Sequence, residues 1–257
     1  MIQVHDFHKA YDGKIAVAGL SFGVEPGQIL GMVGPNGAGK TTTLRAICGV
    51  IPPSHGRIAI DGYDVRENPV EAKLRIAYVP DDPKAFDVLT VWEHMRYTAS
   101  AYGVKDYTAK ANALLERFEL TEHRDKMGGE LSRGMRQKMA LCCAYLHDPK
   151  VILLDEPMTG IDPLGIRTTK QSIREEAAKG AAIVLSSHLL DIVEDLCTHL
   201  LILHEGECLF LGALDEARER FRTSEGETSL EEAFIKATSA KGSPPPLPQE
   251  SVDEHRG

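Results

Sequence analysis

The chain has 257 residues, of which 42% are hydrophobic and 26% charged, and a formal net charge of -9. That is enough apolar material for a substantial buried core, in one large domain or two modest ones. The acidic balance excludes the basic surface that draws proteins to phosphate backbones or anionic lipid, so nucleic acid is not an expected partner.

The first residues, Met1 to Asp6, lack a basic stretch followed by an apolar one, and predict no secretory leader. No apolar run approaches the roughly 18 residues needed to cross a bilayer. Any membrane role would have to be borrowed from a partner. Apolar alternation predicts strands over residues 2–4, 16–24 and 29–33, the last running into a glycine-rich turn that a helix should follow. Residues 58–60, before the Asp61-Gly62 turn, and 76–79, before Pro80, read as further strands.

From about Thr90 to Leu146 the texture turns helical, with Ala111, Leu114, Leu115 and Phe118 at i, i+3, i+4 and i+7. This predicts an inserted helical subdomain over about 84–146. Residues 151–154 and 182–185 are short, fully apolar runs followed by helical patterns, as buried parallel strands of an α/β sheet would be. A β-like run, 200–203 and 208–211 around Glu205-Gly206, closes a predicted domain of residues 1–235. The remainder, 236–257, carries the proline-rich polar stretch from Ser243 onward and is expected to be a disordered tail.

Five cysteines, Cys48, Cys142, Cys143, Cys197 and Cys208, lie scattered in apolar segments without metal-ligand or C-x-x-C spacing. They read as reduced core residues. A catalytic thiol is the alternative, but no sequence neighbour supplies the His or Lys it needs.

The segment that carries chemistry is Gly34-Pro35-Asn36-Gly37-Ala38-Gly39-Lys40-Thr41-Thr42, a G-x-x-x-x-G-K-[ST] phosphate loop directly after a strand. Glycines let successive N–H groups turn inward, and the following helix offers its positive end to phosphates. Lys40 should reach the β- and γ-phosphates of ATP, and the Thr41 hydroxyl is placed to ligate Mg²⁺. Asp155 and Glu156 follow four aliphatic residues, 151–154, which argues against the solvated turn that an Asp-Glu pair otherwise marks. Asp155 is the candidate carboxylate for Mg²⁺ and Glu156 the candidate general base.

In this order, the segments resemble the ATP-binding subunit of ABC transporters, over about residues 2–234. Leu131-Ser132-Arg133-Gly134-Met135 looks like the signature L-S-G-G-Q, and Tyr78-Val79-Pro80-Asp81 stands where the family has its glutamine loop. Gly160-Ile161-Asp162-Pro163 is similar to the D-loop, and Ser186-Ser187-His188 to the segment carrying the switch histidine. Ser132 lies 23 residues before Asp155, and His188 lies 33 after it, both ordinary spacings for the family. Tyr11 occupies the place of the aromatic that stacks on adenine, although such a residue taken alone is more often packing.

The resemblance implies a P-loop NTPase sheet core with an antiparallel β subdomain and an inserted α-helical subdomain. It also implies two cassettes, alike or different, that trap ATP head to tail. Ser132, the Gly134 amide and a helix beginning near Met135 would then face the partner's γ-phosphate, with His188 approaching it from the far side. A separate membrane permease would contact the helical subdomain and the Asp81 loop, leaving the chain cytoplasmic and peripheral at the inner face of the membrane.

Two segments depart from the pattern. Asp81 replaces glutamine with a shorter carboxylate that can still approach Mg²⁺, and Arg133 and Met135 replace Gly and Gln in the signature. Such variants, and the closing segment Ser229 to Phe234, resemble the exporter branch. Other readings are a soluble ABC ATPase of translation or repair, which would need a second cassette or a long insertion, a P-loop kinase of a small molecule, and a purely structural module.

Overall fold

The computed structural model describes residues 1–220. The strands expected at residues 2–4 and 16–24 are longer than their apolar cores and form the hairpin β1 (Ile2–Tyr11) and β2 (Lys14–Val24). Polar residues mask β1 beyond Val4, and a bulge with Asp6 at φ 46 shifts its register. Next come β3 (Ile29–Val33) and α1 (Lys40–Ile47), joined by the glycine loop. β4 (His55–Ile60) pairs with β1, and the two-residue β5 (Tyr63–Asp64) pairs with β4, completing one antiparallel sheet ordered β2-β1-β4-β5.

A short α2 (Pro69–Lys73) leads to β6 (Ile76–Val79). Three α-helices, with two short 3-10 turns between the second and third, then separate β6 from the next strand: α3 (Val91–Ala101), α4 (Thr108–Arg117) and α5 (Arg133–Tyr145). α3 starts on a reciprocal capping box in which Thr90 accepts from the Glu93 amide and Glu93 accepts from the Thr90 amide. α5 starts at Arg133, two residues before the expected Met135, because the Ser132 hydroxyl oxygen accepts from the Met135 amide and caps the helix there.

β7 (Val151–Asp155), α6 (Pro163–Ala178), β8 (Ala182–Ser186), α7 (Leu190–Leu196), β9 (His199–His204), β10 (Glu207–Ala213) and α8 (Leu214–Arg220) complete the described chain. The second sheet is ordered β10-β9-β3-β8-β7-β6, parallel except for the edge strand β10. The segment Ser229 to Phe234 and the proline-rich tail lie outside the described residues.

The continuous apolar runs of the inner strands follow from burial on both faces. In β7, Ile152 and Leu154 join the core beneath α3 to α8, while Val151 and Leu153 join the core shared with α1 and the antiparallel sheet. β3, β8 and β9 divide in the same way, with Val33, Leu185 and Ile202 on one side and Met32, Val184 and Leu201 on the other. Each such aliphatic side chain, 0–1% exposed, contributes about 1.5–3 kcal/mol to burial. The rigid sheet therefore fixes the C-terminal ends of β3, β6, β7 and β8, where the candidate site lies.

Candidate nucleotide site

The glycine loop runs from the end of β3 to the first turn of α1. Its sharpest requirement is Gly39, at φ 106, where a Cβ would lie 2.8 Å from the Ala16 carbonyl oxygen. Both the dihedral and the close approach demand glycine. Gly37, Ala38, Gly39, Lys40, Thr41 and Thr42 line a cleft of about 230 Å³ with Asn36 and Ala16. Asp81, Asp155 and Glu156 form its other wall.

Lys40 is 8% exposed, and its ammonium donates to the carbonyl oxygens of Gly34, at 2.5 Å, and Pro35, at 3.2 Å. Burial pulls its pKa below the usual lysine range, against the opposing pull of Glu156 and Asp155. Strand pairing sets the opposite wall. Asp155 ends β7 directly opposite Ser186 of β8, and the Ser186 hydroxyl donates to Asp155 Oδ1 at 2.5 Å. Asp155 Oδ2 accepts from the Thr41 hydroxyl at 2.9 Å, which unites two sequence-predicted metal ligands 114 residues apart. The Tyr78 hydroxyl, its pKa pushed up to about 12 by burial and then by Asp155, lies 3.5 Å from the same oxygen.

Glu156 adopts the left-handed region, at φ 48, uncommon for a residue with a side chain and frequent at functional turns. Its amide donates to the Ser186 carbonyl at 3.1 Å. Its Oε2 lies 2.9 Å from His188 Nδ1 and accepts from the Ser187 hydroxyl at 3.5 Å. Glu156 is largely shielded and His188 is exposed, so the pair joins the cleft to the surface.

The oxygens of Thr41 and Asp155 suit Mg²⁺, which takes few protein ligands and keeps waters and phosphate oxygens around it. Among the described residues no group of three or more His, Cys, Asp or Glu could hold a metal alone. Asp81, the third expected ligand, lines the cleft but has its Oδ1 bonded to Arg133 at 2.8 Å.

Tyr11 stands apart from the cleft lining, 46% exposed at the end of β1, with the Lys9 ammonium 5.0 Å from its ring centroid. Ser132 and Gly134 also stand outside that lining. Gly134 packs instead on the loop after Glu156, where a Cβ on it would meet the Gly160 carbonyl oxygen at 2.5 Å. Burial lifts the cysteine thiols, to about 12 for Cys197 and about 11 for Cys143 and Cys208, which suits inert core thiols rather than a nucleophile.

Sequence reasoning missed Ser186 and Tyr78 as partners of Asp155. Only the parallel register shows that the last residue of one apolar run lies beside that of another.

A phosphate loop whose threonine bonds a strand-end carboxylate, with a second carboxylate one residue on, defines the P-loop nucleoside triphosphatases. Within that class the chain belongs to the ABC transporter family, whose profile matches residues 17–159. It is similar to the ABC-type transporter ATP-binding protein EcsA of Bacillus subtilis (strain 168), 34% identical over 240 residues, 93% of this chain and 96% of that protein. The Nod factor export ATP-binding protein I of Burkholderia pseudomallei (strain 1710b) is 37% identical over 82% of this chain and 70% of its own length. A solved ATP-binding subunit of an ABC transporter superposes with a TM-score of 0.88, 34% identity, and coverage of 92% of this chain and 99% of that one. The chain is thus an ATP-binding, ATP-hydrolysing subunit of an ABC transporter, with the P-loop sheet core, antiparallel sheet and helices expected from its sequence.

Proposed function

We propose that this cassette powers export through a separate permease, working in pairs that close on Mg-ATP. The observation that carries the pairing is the separation just described: Ser132 and Gly134 lie outside the lining of their own cleft, so a complete site needs these groups from a second cassette. Ser132 caps α5, leaving its hydroxyl proton free to donate and the helix N-terminus turned to an incoming phosphate. Export follows the departures at Asp81 and Arg133 and the likeness to a Nod factor export protein.

In this reading Lys40, freed from the Gly34 and Pro35 carbonyls, holds the β- and γ-phosphates. Thr41 and Asp155 hold Mg²⁺, with Asp81 at the rim, and the ion supplies charge neutralisation. Glu156 accepts the proton of the attacking water, oriented by Ser187 and by His188, which also reaches the γ-phosphate. Tyr11 stacks on the adenine.

The permease reading rests on a surface feature. Phe86, Val88 and Tyr97 are 53%, 78% and 56% exposed, and the Phe86 and Tyr97 rings pack edge to face at 5.5 Å. Phe86 stacks in turn on His94, which lines a groove of about 260 Å³ with Pro80, Pro83 and Tyr102. An apolar rim formed by Tyr97 of α3 and the loop that precedes that helix, following on from Asp81, suits a permease segment. No helix of the described residues is long and apolar enough to cross a membrane. In this reading the permease contact holds the chain at the inner face.

The test is light scattering coupled to size-exclusion chromatography on Glu156→Gln, with and without Mg-ATP. Dimers only with nucleotide are expected. A monomer under both conditions overturns the paired-cassette reading.

A further inference from the structure

The two departures from the family pattern meet each other. Asp81 follows β6, Arg133 opens α5, and 52 residues separate them in the chain. Arg133 Nη2 donates to Asp81 Oδ1 at 2.8 Å and approaches the Asp81 carbonyl oxygen at 3.4 Å. One turn further along α5, Arg136 Nη2 faces Asp82 Oδ1 at 3.6 Å, a second rung between the same two segments. The aliphatic stem of Arg133 also covers Gly160, where a Cβ would meet its Cδ at 3.2 Å. One side chain therefore touches the loop at the cleft rim, the signature segment it belongs to, and the loop after Glu156.

Charge explains why the pair matters. The cleft wall carries Asp81, Asp155 and Glu156 against one lysine, Lys40, which leaves two uncompensated negative charges where a polyphosphate must sit. Arg133 removes one of them. Glutamine at position 81 would need no such counter-ion. An aspartate there needs one whenever metal does not compensate it. As a surface ion pair the contact adds little to stability, since both partners are about half exposed.

We propose that Arg133 is a positioning residue for Asp81. It neutralises the carboxylate and holds it at the rim, so that this cassette tolerates an acidic residue beside the phosphates and its signature is tied to its own nucleotide site. This deepens the ATPase reading above and rests on it.

The test is ADP affinity measured by calorimetry, once with excess Mg²⁺ and once with EDTA, on protein shown to be monomeric by light scattering. Turnover then plays no part. In Arg133→Ala the freed carboxylate repels metal-free ADP and is available to Mg²⁺. The ratio of the two dissociation constants should rise about three- to tenfold, the effect of one added charge a few ångströms away in a solvated site. Arg133→Lys should keep the wild-type ratio, and Asp81→Asn in the Arg133→Ala background should restore it to within about twofold. A lost packing contact alone would shift both affinities together. An unchanged ratio in Arg133→Ala, or a rise that persists in the double variant, overturns the proposal while leaving the ATPase reading standing. Failure of the wild type to bind ADP at all, or equal binding by Lys40→Ala, overturns both.

Discussion

Gly134→Ala puts the junction between the signature and the loop after Glu156 under direct strain. Gly134 lies in the first turn of α5 without a positive φ, so its backbone suits alanine, and helix propensity alone predicts stabilisation. The contact predicts the reverse. The new Cβ would lie 2.5 Å from the Gly160 carbonyl oxygen, and ordinary contact begins near 3.4 Å, so about 0.9 Å of separation has to be found. The obstructing atom is backbone, in a loop fixed by the Asp162 cap of α6 and by Lys138, whose ammonium bonds Asp162 at 3.0 Å and Glu119 at 3.1 Å. Overpacking of this kind costs about 1–3 kcal/mol, which for a chain of this size lowers Tm by about 2–12 °C. Turnover should fall at least about tenfold because the loop that moves begins at Glu156, while ADP affinity stays within about twofold. Thermal unfolding and phosphate release read both effects. A Tm equal to or above wild type would refute the contact reasoning, because propensity would then have outweighed it.

Three further outcomes follow from the site and the core. Glu156→Gln preserves the shape and the hydrogen-bonding reach toward His188 and Ser187, so ATP affinity should hold within about threefold while turnover drops about 10²–10⁴-fold. A variant retaining a tenth of the wild-type phosphate-release rate would sink the general-base assignment. Ser186→Ala removes the donor to buried Asp155 Oδ1 and should cost about 1–3 kcal/mol in urea unfolding, with no change expected in the urea m-value. Unaltered stability would show that Asp155 is satisfied without Ser186. His147 stacks on Tyr102 at 3.7 Å and bonds the Ile76 carbonyl oxygen. Burial, chiefly, holds its pKa below the ordinary 6.5. The unfolded chain therefore binds the proton first, and the folded state loses stability as pH falls from about 6.5 toward the folded value. Relative to wild type, His147→Gln should be less penalised by acid, so the gap between their Tm values narrows from pH 7.5 to 5.0. Parallel Tm curves would exclude that linkage.

The inner sheet and phosphate loop were legible because each is locally encoded. Strands buried on both faces must be apolar throughout, which made 151–154 and 182–185 stand out, and the phosphate loop is one contiguous segment whose glycine positions are dictated by backbone approach. β1 was read short because its second half alternates with polar residues and bulges at Asp6, where the antiparallel sheet meets solvent. α5 starts two residues before Met135 because Ser132 caps it there, while Arg133 and Gly134 carry no apolar periodicity to mark the first turn.

Asp81 and Arg133 show the limit of reading departures singly. Taken alone, the aspartate looks like a damaged glutamine loop and the arginine like a degraded signature. Their spacing matches no helical or strand period, so no local signal joins them. Parallel placement of β6 beside β7, and the return of α5 across the end of β6, bring them within 2.8 Å. The carboxylate's cost beside a polyphosphate is then offset by the cation three residues into the signature, and each substitution is intelligible only with the other present. Reverting Arg133 alone to the family's usual glycine should therefore impair metal-free nucleotide binding, and reverting Asp81 to glutamine as well should remove that impairment.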